Sequence, residues 1–229
     1  MSLSDTRPTT TLPDAVLWDL DGTIVDTEPV WLAAELSLAD RYGASWSEQD
    51  GLELVGSDLL VASREMKRRM ALPLSPEEIV DTLVGEVAAY MATGEIAWRP
   101  GALELIGALE AAGVPQALVT MSYTAIATPM LARVSGEPFG AVVTGEVVSQ
   151  GKPHPEPYLT AAAALGVDPH RCVAIEDSTT GTRSAAAAGC HVLVVPNMVA
   201  VEEGERRTFV DSLEGTGPSD LGALLDASR

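Results

Sequence analysis

The sequence predicts an α/β protein whose core is a doubly wound parallel sheet, with an all-helical segment inserted after the first strand. Two observations carry this. Short apolar runs bounded by Gly, Pro or Asp alternate with longer segments of helical spacing, the pattern of parallel strands joined by crossover helices. About a hundred residues separate the first strand from the next, far more than a simple connection needs, and that interval shows no strand-like alternation.

Taken in order, the first strand is Ala15 to Trp18. From Val30 onward, Trp31, Ala34 and Leu38 with Arg41 and Tyr42 read as an amphipathic helix; Leu60 to Met70 and Pro76 to Tyr90 follow as further helices. Ala97-Trp98-Arg99-Pro100-Gly101 reads as a return hinge, because Pro and Gly break the preceding helix. Leu103, Ile106 and Leu109 share a helix face that Gly113 closes. Strands are then expected at Ala117 to Val119, Ala141 to Val143, Cys172 to Ile175 and Val192 to Val195. Helices at Tyr158 to Leu165 and Ser184 to Ala188 end at Gly166 and Gly189. The core thus comprises residues 12–28 and 99–229, and the helical insert residues 29–98.

Composition narrows the possible partners. Hydrophobic residues make up 46% of 229, enough for a sizeable core without disulfides. Acidic residues outnumber Lys and Arg by 33 to 14, a formal charge of −19, which argues against nucleic acid or an anionic membrane as partner. A local positive pocket for a small anion is still possible. Cys172 and Cys190 are too few for a disulfide framework and read as reduced core residues. The N-terminal residues lack the charged and apolar regions of a signal peptide, and no apolar run reaches ~18 residues. A cytoplasmic protein, monomeric or weakly oligomeric, is expected.

The chemistry begins where the first strand ends, in Asp19-Leu20-Asp21-Gly22-Thr23. Ligands of open α/β sheets bind outside the carboxyl ends of strands. Two acids at i and i+2 reach the same side only if the backbone turns, which Gly22 permits. One carboxylate would then serve as nucleophile and the other as proton carrier, although an Asx-turn leaving a strand would look the same.

The rest of the chain separates these readings. Asp19-Leu20-Asp21-Gly22-Thr23 after an apolar strand resembles the first motif of the haloacid dehalogenase superfamily, whose aspartate forms a covalent intermediate. The later motifs are matched in order by Thr120 with Ser122 after a strand, by Lys152 in Gly151-Lys152-Pro153-His154-Pro155-Glu156-Pro157-Tyr158, and by Glu176-Asp177 followed by Gly181. The resemblance implies a Rossmann-like core with an inserted α-helical cap domain. It also implies a Mg²⁺-dependent phosphatase acting on a small phosphorylated metabolite, a sugar phosphate, through an aspartyl phosphate.

The residue types suit these roles. A carboxylate attacking a phosphate ester needs fixed positive charge, here Mg²⁺ and Lys152. The resemblance makes Asp19, the Asp21 main-chain carbonyl and Asp177 the metal ligands, with Glu176 beside them. Thr120, with Ser122 and Lys152, would bind the phosphoryl oxygens. Asp21 would protonate the leaving alcohol and then activate water. Asp177 could equally cap the helix that follows it. His154, His170 and His191 show no ligand spacing, and none is assigned chemistry.

Asp21 also sets the branch, since relatives that cleave carbon–halogen bonds lack an acid there. Asp26-Thr27-Glu28-Pro29-Val30-Trp31 resembles the beta-phosphoglucomutase-like group, with Glu28 and Pro29 expected in the hinge. Mutases of that group carry a His where Trp31 stands and a cap Arg shortly after the Gly aligned with Gly56, where this chain has Ser57-Asp58-Leu59. Both departures favour a phosphatase over the alternative phosphomutase, and the intact catalytic positions favour it over a non-catalytic phosphate-binding protein. Trp31 is either a wall of the substrate entrance or ordinary packing. Arg64, Lys67, Arg68 and Arg69 form a basic cluster, with Arg64 and Arg68 on one face, over an anionic substrate or simply solvated. Met121 stands where many relatives have a small polar residue.

Overall fold

The computed structural model describes residues 11–54 and 58–227; Gly56 and Ser57 of the mutase comparison lie outside the described residues. In chain order the elements are β1 (Ala15–Trp18), α1 (Glu28–Arg41), α2 (Glu48–Leu52), α3 (Leu59–Met70), α4 (Pro76–Thr93), α5 (Ala102–Ala111), β2 (Gln116–Val119), α6 (Thr124–Leu131), β3 (Phe139–Val143), α7 (Glu156–Leu165), β4 (Cys172–Glu176), α8 (Thr179–Ala188), β5 (His191–Val194), β6 (Arg207–Phe209) and α9 (Pro218–Ala227). Among the described residues the strands form one parallel sheet in the order β3-β2-β1-β4-β5-β6. The order reverses at β1, so the crevice for a ligand opens at the carboxyl ends of β1, β2 and β4.

Side-chain alternation along β1 sends Val16 and Trp18 to one face of the sheet and Ala15 and Leu17 to the other. The first face is covered by Leu105, Ile106 and Leu109 of α5, Ile126 and Met130 of α6, and Leu221 of α9. The second packs against Tyr158, Ala161 and Ala162 of α7 and Ala185 and Ala188 of α8, whose alanines let these helices lie close to the strands. Buried Trp18 donates to Gln116 Oε1 at 2.9 Å, and the Gln116 amide donates to the Ile106 carbonyl at 3.1 Å, so both buried polar side chains have partners.

Between β1 and β2 the chain is helical, α1 to α5, as its periodicity required. Leu38, Met66, Ile79, Leu83 and Met91 belong to the same apolar cluster as the first sheet face. The two connections to α1–α4 pair with each other: Asp26 N–H donates to Ala97 O and Arg99 N–H to Ile24 O, each at 2.9 Å. Glu28 and Pro29 were expected in the hinge but form the first turn of α1, where Pro is tolerated because its missing N–H has no intrahelical acceptor.

The structure adds β6, α2, α6 and α9 to the elements expected. α6 carries Pro129 inside it, which reads as a breaker in sequence, and β6 is a three-residue edge strand. Cys172 and Cys190 are buried free thiols. No helix among the described residues is long and apolar enough to cross a membrane.

Candidate active site

Asp19 N–H donates to the Ile175 carbonyl at 3.0 Å, which carries the β1 ladder one residue past its end. The chain then turns sharply. Gly22 has φ +86°, and a Cβ there would lie 2.0 Å from Asp177 Oδ2. Both the left-handed backbone and the close approach demand glycine. The turn places Asp19 and Asp21 beside the ends of β2 and β4.

Asp19 is 6% exposed. Its Oδ1 accepts from Lys152 Nζ at 2.6 Å, and the same ammonium donates to Glu176 Oε1 at 2.6 Å. Glu176, fully buried at the end of β4, also accepts from the Tyr158 hydroxyl at 2.7 Å and, through Oε2, from the Ser178 hydroxyl at 3.0 Å. The Lys152 ammonium lies 5.2 Å from the centroid of the Tyr158 ring. The Lys152 backbone N–H also donates to Met121 Sδ at 3.3 Å.

Asp21 occupies a second cluster of donors. Its Oδ1 accepts from the Thr27 hydroxyl at 2.7 Å, and its Oδ2 from Ser122 at 2.7 Å and Thr120 at 3.1 Å. Ser122 N–H donates in turn to Thr120 Oγ1 at 2.9 Å. Thr120 and Ser122, expected to hold phosphoryl oxygens, thus have the Asp21 carboxylate as their acceptor here.

Asp19, Glu176 and Asp177 each offer an oxygen, and all of these lie within 4.8 Å of one another. Asp19 Oδ2 is buried without a hydrogen-bond partner. Burial pushes the Asp19 carboxyl up to about 7, against the pull of Lys152 and aided by Glu176 and Asp21. Burial and the charges of Asp19 and Glu176 push Asp177 up to about 9. Burial alone would depress the Lys152 ammonium, but Asp19 and Glu176 hold it above its ordinary range. One ammonium facing this many carboxylates leaves negative charge uncompensated, and hard oxygen donors in that arrangement fit a divalent cation.

Asp19, Asp21, Thr120, Ser122, Lys152, Glu176 and Asp177 therefore meet at one end of the sheet. One alternative is corrected: the cap of α8 is Ser178, whose hydroxyl accepts from Gly181 N–H at 3.0 Å, so Asp177 does not serve as the cap. Sequence reasoning gave no role to Tyr158, Ser178 or Thr27. Tyr158 had a signal, since a tyrosine inside an apolar helix face must find a partner for its hydroxyl. His154 accepts the Glu156 N–H at 3.2 Å, a local contact at the start of α7. In the basic cluster, Lys67 donates to the Leu74 carbonyl, Arg68 pairs with Glu65, and Arg69 pairs with Asp50, Glu53 and Glu65. Trp31 packs against the apolar core and lines a small cavity.

A parallel sheet with an acidic, lysine-bearing crevice at its switch point defines a class, and the sequence profile of the haloacid dehalogenase-like hydrolases matches residues 13–189. The chain belongs to that family of hydrolases. Hexitol phosphatase A of Escherichia coli is 34% identical over 180 residues, 78% of this chain and 81% of that protein. The bifunctional riboflavin kinase/FMN phosphatase of Arabidopsis thaliana is 34% identical over 189 residues, and this chain spans about half of its length, 49%. The crystal structure of CbbY from Rhodobacter sphaeroides in complex with phosphate superposes with a TM-score of 0.82 at 30% identity, covering 92% of this chain and 99% of that one.

Proposed function

We propose that this protein is a Mg²⁺-dependent phosphatase that hydrolyses a small phosphorylated metabolite, a sugar or sugar-alcohol phosphate, through an aspartyl phosphate on Asp19. The observation that carries this reading is the buried Asp19 carboxylate, with Lys152 on one oxygen and the other oxygen free. The phosphatase activities of the relatives point the same way.

Asp19, the Asp21 main-chain carbonyl and Asp177 would hold Mg²⁺, with Glu176 beside them. The bound cation would neutralise charge on the phosphoryl group as the nucleophile approaches. Lys152 supplies fixed positive charge to the same end, and Glu176, gripped by Tyr158 and Ser178, holds that ammonium in place. An Asp19 oxygen attacks phosphorus and forms the O–P bond as the bond to the leaving alcohol breaks. Asp21, in its acid form, gives that alcohol its proton. Thr120 and Ser122 then exchange the Asp21 carboxylate for phosphoryl oxygens as their acceptors. In the second half, water attacks phosphorus, Asp21 takes its proton, and the Asp19 carboxylate departs.

Residues 29–98 act in this reading as a cap domain that closes over the substrate and excludes bulk water. The test is phosphate release from a panel of sugar, sugar-alcohol and other metabolite phosphates, with Mg²⁺ and with EDTA, using Asp19→Asn as control. Mg²⁺-dependent release that the variant lacks is expected. Release that persists in EDTA or in the variant would contradict the reading.

A further inference from the structure

A cavity of about 70 Å³ lies between α1, α2 and the loop after β5. On the same measure a single water needs about 10–15 Å³, so there is room for several CHOH units. Its lining is mainly apolar, from Trp31, Leu32, Leu52 and Met198, with Glu28, Glu35 and Glu48 set among them; Glu35 Oε2 already accepts from Trp46 Nε1 at 2.9 Å. Among the described residues that line it there is no lysine or arginine.

Two residues that line the cavity, Glu28 and Met198, are chain neighbours of groups at the reacting site. Thr27, immediately before Glu28, donates to Asp21 Oδ1 at 2.7 Å. On the other side Met198 follows Asn197, whose amide nitrogen lies 3.4 Å from where a Cβ on Gly22 would be, beside Asp177. Asn197 also accepts from Arg99 Nη1 at 2.9 Å and donates to Asp26 Oδ1 at 3.2 Å, tying this loop to both connections of α1–α4. A group leaving from a phosphoryl centre at Asp19 and protonated by Asp21 would extend this way.

We infer that this cavity receives the leaving group, and that its carboxylates select an uncharged polyhydroxyl leaving group and reject one bearing a second phosphate. The inference rests on the phosphatase reading and adds the substrate class. Carboxylates accept hydrogen bonds from hydroxyls, and an indole face covers the C–H face of a polyol. A second phosphate would meet Glu28, Glu35 and Glu48 with no cation lining the cavity to offset it, in surroundings that already disfavour negative charge: burial, with Asp21 and Asp26, pushes the Glu28 carboxyl up to about 7, and burial holds that of Glu35 above its ordinary range.

The test compares a hexitol monophosphate with the matching bisphosphate in two ways, as kcat/KM for phosphate release and as the shift in Tm each gives the Asp19→Asn variant. p-Nitrophenyl phosphate turnover reports that the variants other than Asp19→Asn are folded and active, and circular dichroism reports that Asp19→Asn is folded. The monophosphate is expected to win by about tenfold or more in kcat/KM and to give the larger Tm shift. Glu28→Gln and Glu48→Lys should each narrow the gap, and Glu104→Lys, an exposed charge reversal on α5, should leave it as it is. Equal or better handling of the bisphosphate, or a gap that Glu28→Gln and Glu48→Lys leave unchanged, would overturn the inference. If no ester is turned over but the Tm shifts still discriminate, the phosphatase reading fails and the selective cavity stands. A monophosphate that neither turns over nor shifts Tm overturns both.

Discussion

Gly181 lies in the first turn of α8, where a Cβ would sit 1.8 Å from Glu176 Oε1 and 2.1 Å from Oε2. Alanine in an ordinary helix is better than glycine by about 1 kcal/mol. Here the added methyl must expel a fully buried carboxylate that accepts from Lys152, Tyr158 and Ser178. Breaking a buried ion pair on one side costs about 3–5 kcal/mol. The balance for Gly181→Ala is a net loss of roughly 2–4 kcal/mol, which at about 2–4 °C per kcal/mol for a chain of this size lowers Tm by roughly 4–16 °C. Urea unfolding and a thermal melt measure it, and kcat measured alongside should fall because Lys152 loses one of its two carboxylate partners. A variant as stable as the parent or more so, with kcat unchanged, would refute the claim that Glu176 needs that space to hold Lys152.

Four further outcomes follow from the same geometry. Asp19→Asn should abolish turnover while its circular dichroism stays that of the parent; residual turnover above background would contradict the nucleophile assignment. Lys152→Met leaves Asp19, Glu176 and Asp177 without their ammonium and should cost roughly 3–5 kcal/mol in urea unfolding, whereas equal stability would show the pair to be dispensable. In EDTA, stability should fall as pH rises: Asp19 and Asp177 are raised from 3.8 to about 7 and about 9, so the folded state binds the extra protons. Their contribution is full below the unfolded pKa and is lost through those two values. Saturating Mg²⁺ should flatten that decline in Tm between pH 5 and 9, and a Tm equally flat without Mg²⁺ would count against the cation site. Thr27→Val removes a donor to Asp21 but no helix cap, because the Thr27 side chain caps nothing in α1; kcat should drop about tenfold with little change in Tm.

Much of this was legible in the chain because the pattern and the chemistry are local. The alternation of Val16 and Trp18 against Ala15 and Leu17 marks a strand buried on both faces, and Asp19, Asp21, Lys152, Glu176 and Asp177 each stand next to a strand end or helix start that the periodicity already locates. What escaped depends on approach from a distance. Tyr158 reaches Glu176 across 18 residues of sequence, and Thr27 reaches Asp21 only because the chain turns at Gly22. α6 was hidden by Pro129, and β6 by its brevity and half-exposed edge position. The pattern from Val30 misses the first turn of α1, because Glu28-Pro29 suits a hinge as well as the helix start that the structure has at Glu28.

The central claim is that Asp19 carries the phosphoryl group during turnover. Enzyme quenched while hydrolysing a good substrate, treated with borohydride and digested, tests this directly, because an aspartyl phosphate is reduced to homoserine. Homoserine at position 19, absent without substrate, is the expected result. Brisk turnover with aspartate unmodified at position 19, or homoserine at another position, would contradict it.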